Sequence, residues 1–140
     1  MPNILRSAGH TLAALTANCG DFHRAWERAL VAGDSERWIG EWRSHANGHH
    51  GELRCVLRRL PGGVFEARFL ARYGGFLRVC YLTPLKATAA GTGFQLEGQS
   101  DLGALAGGVY TYRGELSDSK LTCTYECSYD RGVFELKPAA

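Results

Sequence analysis

A chain of 140 residues, 45% hydrophobic and 21% charged, has the composition of one globular domain. It is long enough to bury a sizeable core without disulfide staples. Sixteen basic against fourteen acidic residues leave a net charge of +2, too small to mark a nucleic-acid binder. No stretch approaches the length of a membrane-spanning helix, so neither nucleic acid nor a membrane is expected as a partner.

The N-terminal segment, residues 1–20, shows little periodicity and reads as disordered. Arg6, the apolar run Thr11–Ala17 and Cys19 resemble a lipoprotein signal, but the run is too short and Asn18 is large for a cleavage position. Asp21 is then the expected N-cap of a helix over 21–33. Phe22, Trp26 and Leu30 form its apolar stripe and Gly33 its stop. Such a helix buries too little to stand alone and needs a sheet to pack on. From this point to residue 140 the chain reads as a single barrel domain, 21–140, with the helix included.

After the helix the hydrophobic period changes from 3.6 to 2. Strands are expected at Trp38–Ser44, Glu52–Leu60, Val64–Tyr73, Phe76–Leu82, Gly93–Ser100, Gly108–Leu116, Leu121–Tyr129 and Gly132–Lys137. Short turns such as Pro61-Gly62-Gly63 and Ser117-Asp118-Ser119 favour antiparallel neighbours. The longer 83–92 and 101–107 connections are candidates for the rim of a mouth. With no room for crossover helices, the fold class is all-β: an eight-stranded antiparallel up-and-down barrel with an N-terminal α-helix. Phe65, Ala67, Phe69, Ala71 and Tyr73 share one strand face, opposite Glu66, Arg68 and Arg72, as a barrel with one interior requires. The fourth strand is apolar on both faces, which the helix would explain by covering its outer side.

The five cysteines are Cys19, Cys55, Cys80, Cys123 and Cys127. An odd number without a C-x-x-C pair argues against a disulfide framework and a zinc ribbon. Four fall in expected strands, where reduced cysteine acts as a small hydrophobe. Cys123 and Cys127 lie roughly 13 Å apart along one strand and do not bridge. The expectation is a reduced protein in the cytoplasm.

Gly40-Glu41-Trp42 on the first strand, after a short helix, resembles the G-x-W signature of lipocalins and the wider calycin superfamily. Avidins and fatty-acid-binding proteins belong to that group. Ile39-Gly40-Glu41-Trp42-Arg43-Ser44 is also similar to the first strand of avidins. The resemblance implies a ligand-carrying barrel in which Trp42 packs at the closed end, near the entering N-terminal segment. Arg131 stands as the candidate for the late arginine on that tryptophan, while the lipocalin T-D-Y turn is missing.

The candidate ligand-binding residues are Trp42, Phe69, Tyr73, Phe94, Tyr110, Tyr112 and Tyr125, all projecting inward. An eight-stranded barrel is just wide enough to be filled by side chains or to hold one small ligand. Ala67, Ala71, Gly98 and Gly114 favour space; the number of rings favours filling. His45, His49 and His50 crowd the first hairpin loop but match no recognised ligand spacing, so no metal or other cofactor is expected. Arg54, Arg58, Arg68 and Arg72 read as a solvated outer face interrupted by Glu52 and Glu66. Glu97, Asp101, Glu115 and Glu126 are scattered, and no catalytic motif accompanies them.

The preferred function is non-covalent binding of a small, mostly apolar, lipophilic molecule inside the barrel. Two alternatives remain open. One is an enzyme of the same fold, an isomerase or a haem protein using the histidine loop. The other is a filled barrel that acts through its surface as an interaction module.

Overall fold

The computed structural model describes residues 19–31, 33–74, 77–103 and 108–139. The disorder expected for residues 1–20 falls, as far as residue 18, outside them. One helix, α1 (Cys19–Arg28), precedes eight strands. These are β1 (Ser35–Ser44), β2 (His50–Leu60), β3 (Val64–Tyr73), β4 (Leu77–Ala90), β5 (Gly93–Asp101), β6 (Val109–Leu116), β7 (Leu121–Glu126) and β8 (Arg131–Pro138). Consecutive strands pair antiparallel, and β1 pairs with β8 to close the barrel. The expected all-β, eight-stranded up-and-down barrel is the fold observed.

Strict alternation puts one face of each strand inside. On β3, Phe65, Ala67, Phe69, Ala71 and Tyr73 are all buried. They join Trp38, Trp42, Leu53, Tyr81, Tyr112, Phe134 and others in one buried cluster inside the barrel. The chain reversals after β1, β3, β5 and β7 lie at one end, the loop end. Those after β2, β4 and β6 lie at the other, the turn end, where α1 leads into β1.

Several expected boundaries shift. β4 runs on to Ala90, so the 83–92 connection is strand and not mouth. Pro84 is accommodated within it because the β4–β5 ladder begins only at Leu85↔Gly98, so no β5 partner is asked of its missing N–H. β7 stops at Glu126 because Cys127 N–H donates to the Asp130 carbonyl across a turn, 2.8 Å. The helix starts at Cys19 and ends at Arg28, ahead of the expected Gly33 stop, and Leu30 is exposed rather than part of its stripe.

α1 lies over the outer face of β2, β3 and β4. Phe22 packs there with Val56, Leu70 and Cys80, which accounts for the second apolar side of β4. Asp21 does not cap the helix; its carboxylate accepts from Arg68 Nε, 2.8 Å. That guanidinium hydrogen bond holds the Asp21 carboxyl below its ordinary pKa. Trp26 stacks on Phe22 with the Arg37 and Arg54 guanidinium groups over its ring.

Cys19 and Cys80 form a disulfide across 61 residues, tying the first turn of α1 to the middle of the barrel wall. This corrects the expectation that every cysteine stays reduced. An odd count excludes complete pairing, not a single bridge, and the apolar pattern of β4 hid that Cys80 faces the helix. Cys55, Cys123 and Cys127 remain free. No helix among the described residues is long and apolar enough to cross a membrane.

Candidate ligand site on the inner wall

The seven residues expected to line the interior do turn inward, but they do not form one set. Trp42 and Tyr73 stack at the loop end, ring centroids 5.8 Å apart and nearly parallel. Trp42 Nε1–H donates to the Arg72 carbonyl, 3.0 Å, and the Tyr73 hydroxyl bonds His49 Nδ1, 2.7 Å. Tyr110 and Tyr125 lie beside each other near the same end, 6.3 Å between centroids. Phe69 sits mid-barrel against Tyr81 and Phe134, and Tyr112 packs on the other side of Phe134. Phe94 is apart from these, at the turn end, against Phe65 and under the Arg59 guanidinium.

Trp42 departs from the position the resemblance implies. The described N-terminal element joins β1 at Ser35, seven residues from Trp42, about 23 Å along the strand. Trp42 therefore closes the end opposite the entry of α1. Arg131 is exposed and belongs to the loop-end backbone, where its carbonyl accepts from His45 N–H. Gly98 and Gly114 do not leave space either. A Cβ on Gly114 would meet the Thr122 carbonyl and Cys123 Sγ, and one on Gly98 the Pro84 carbonyl and the Leu85 side chain.

The inner wall is rich in hydroxyls. Thr83 Oγ1 and Ser100 Oγ are 2.9 Å apart, and Ser100 Oγ–H donates to the Tyr112 hydroxyl, 3.0 Å. Tyr81 and Tyr125 hydroxyls, with Trp38 Nε1, are buried and have no hydrogen-bond partner. Burial pushes the Tyr81, Tyr110 and Tyr125 phenols well above their ordinary pKa, and Tyr112 up to about 12. All four stay protonated across the physiological range.

Asp130 is buried at the loop end and accepts a hydrogen bond from Ser44 Oγ–H, 2.6 Å. Ser44 Oγ also receives the Ala46 and Asn47 N–H groups, so this pair ties the β1–β2 loop to the β7–β8 turn. Its charge raises the Tyr125 phenol further, second to burial. Nothing in the sequence pointed to this pair, because alternation says nothing about buried polar partners 86 residues apart. Sequence reasoning also left Tyr81 out of the lining, since β4 carried apolar residues on both faces.

The remaining candidates sit outside. Arg54 pairs with Glu52, Arg58 with Asp34 and Glu66, Arg68 with Asp21 and Glu66, and Arg72 with Glu52. His45 and His50 are exposed, and among the described residues no three His, Cys, Asp or Glu side chains are placed to hold a metal. Glu97, Glu115 and Glu126 line shallow outer grooves on β5–β7 with Arg113 and Thr124, the larger about 540 Å³.

A closed eight-stranded meander, a helix leading into β1 and an inward tryptophan in G-x-W decide the architecture. The chain is a closed eight-stranded antiparallel up-and-down barrel with a helix ahead of its first strand. No family model matches this sequence, and no curated protein matches it. Among solved structures it is similar to a de novo designed fluorescence-activating β-barrel, at 17% identity with TM-score 0.48, over 74% of this chain and 92% of that one. It is also similar to a variant of the fluorescent protein UnaG, at 14% identity with TM-score 0.43, over 75% of this chain and 95% of that one.

Proposed function

We propose that this barrel binds one small, mostly apolar molecule non-covalently among the rings of its inner wall. Phe69, Tyr110, Tyr112 and Tyr125, with Tyr81, contact the guest; Trp42 and Tyr73 close the loop end and Phe94 the turn end. The observation that carries this reading is the pair of buried tyrosine hydroxyls, Tyr81 and Tyr125, left without a partner. A core selected only for solidity replaces such groups by phenylalanine, because each unsatisfied buried hydroxyl costs about 1–3 kcal/mol. The Cys19–Cys80 disulfide favours a thiol-oxidising compartment over the cytoplasm as the place where this happens.

A filled barrel acting through its surface is the second reading. It is favoured by the burial of the inner wall, where even Tyr73 is only 6% exposed. Titration with the uncharged dye Nile red separates the two. Saturable one-to-one emission is expected, weakened by Ala67→Leu on the inner wall and unchanged by Arg113→Ala in the outer groove. The reverse pattern would move the site to the surface.

A further inference from the structure

Resting on the reading of the interior as a binding site, we infer that its guest presents an uncharged acceptor oxygen, such as a ketone, lactam or quinone carbonyl, to the Tyr81 and Tyr125 hydroxyls. The proton count of the inner wall carries this. Ser100 gives its one hydroxyl proton to Tyr112, so the bond between Thr83 and Ser100 uses the Thr83 proton. The Tyr112 proton emerges at the end of this chain. The Tyr81 and Tyr125 hydroxyls, buried without a hydrogen-bond partner, add two further donors to the interior. An acceptor is the group that the wall lacks.

The charge of the guest follows from what else is buried. Among the described residues, Asp130 is the single buried charged side chain, and every arginine lies at or near the surface. A carboxylate guest would enter without a counter-charge and close to an existing negative group, a costly arrangement in a low-dielectric interior. An ammonium guest would find Asp130 already engaged by Ser44 and would meet three phenol donors where it needs acceptors. A neutral carbonyl meets neither penalty, and its two lone pairs can accept from two donors. The wall is least tied by backbone along the loop-end half of the β4–β5 seam. There the backbone ladder stops at Leu85↔Gly98, and the Thr83 and Ser100 hydroxyls bridge the strands beyond it.

Four probes on one tricyclic frame test the assignment by calorimetric titration: 9-fluorenone, fluorene, fluorene-9-carboxylate and 9-aminofluorene. Fluorenone is expected to bind roughly tenfold more tightly than the others, the gain from satisfying a buried donor. That advantage should vanish in Tyr81→Phe and Tyr125→Phe while fluorene affinity stays unchanged, and the bound carbonyl stretch should move to lower wavenumber only in the parent protein. Both variants keep the ring and its packing, so the fold survives the change. Equal binding of fluorene and fluorenone would overturn the acceptor assignment and leave interior binding standing. Tightest binding of the carboxylate or the amine would overturn it as well. Failure of all four, with both variants more stable than the parent, would overturn the interior site itself.

Discussion

Reducing the Cys19–Cys80 disulfide is expected to lower the stability of the protein by about 4 kcal/mol, the chain-entropy value for a closed loop of this length. The bridge restrains the unfolded chain across 61 residues and anchors a helix of only ten residues. Such a helix is unstable alone and is otherwise held by Phe22 against Val56 and Leu70 and by the exposed Asp21–Arg68 pair, worth less than about 1 kcal/mol. Urea unfolding with and without dithiothreitol should show the midpoint fall, and Cys80→Ala should reproduce it. An unchanged midpoint would mean that α1 docks independently of the bridge. The Asp21 contribution has a defined pH sense. Its folded pKa is depressed, so its stabilisation is present above the unfolded value near 4 and lost as pH falls through the folded one.

Trp42→Ala is expected to cost about 3–5 kcal/mol, the range for deleting a buried aromatic side chain. The substitution removes the stack on Tyr73 and leaves the Arg72 carbonyl without its donor at the loop end. Trp42→Phe separates the two contributions. It keeps a ring on Tyr73 and loses only the hydrogen bond, about 1 kcal/mol. Denaturant midpoints of the pair measure both terms. A loss below about 1 kcal/mol for the alanine variant would show that the loop end is not built on this residue.

Barrel and lining were legible because alternation is a local code. Phe65 to Tyr73 on β3, and Tyr110 and Tyr112 on β6, announce their faces within one strand. What was not legible depends on contacts between distant strands. The Ser44–Asp130 latch joins the first and last reversals of the barrel. The Cys19–Cys80 bridge needs the helix placed on the outer face of β4 before its geometry exists. Gly98 and Gly114 read as vacancies from composition, yet neighbouring backbone fills the space in front of them. Trp42 keeps its motif and its inward aim, but strand length sets its end of the barrel, and β1 extends three residues before Trp38. The orphaned hydroxyls of Tyr81 and Tyr125 are the most informative of these features. No sequence pattern distinguishes a tyrosine whose proton is spent from one whose proton is free.

Native mass spectrometry of the freshly isolated protein, repeated after incubation with a lipophilic extract of the producing cells, tests the central claim most directly. The account predicts a discrete mass excess of one small molecule per chain that disappears on denaturation. The bare chain mass in both samples would contradict it and leave a solid barrel working through its surface.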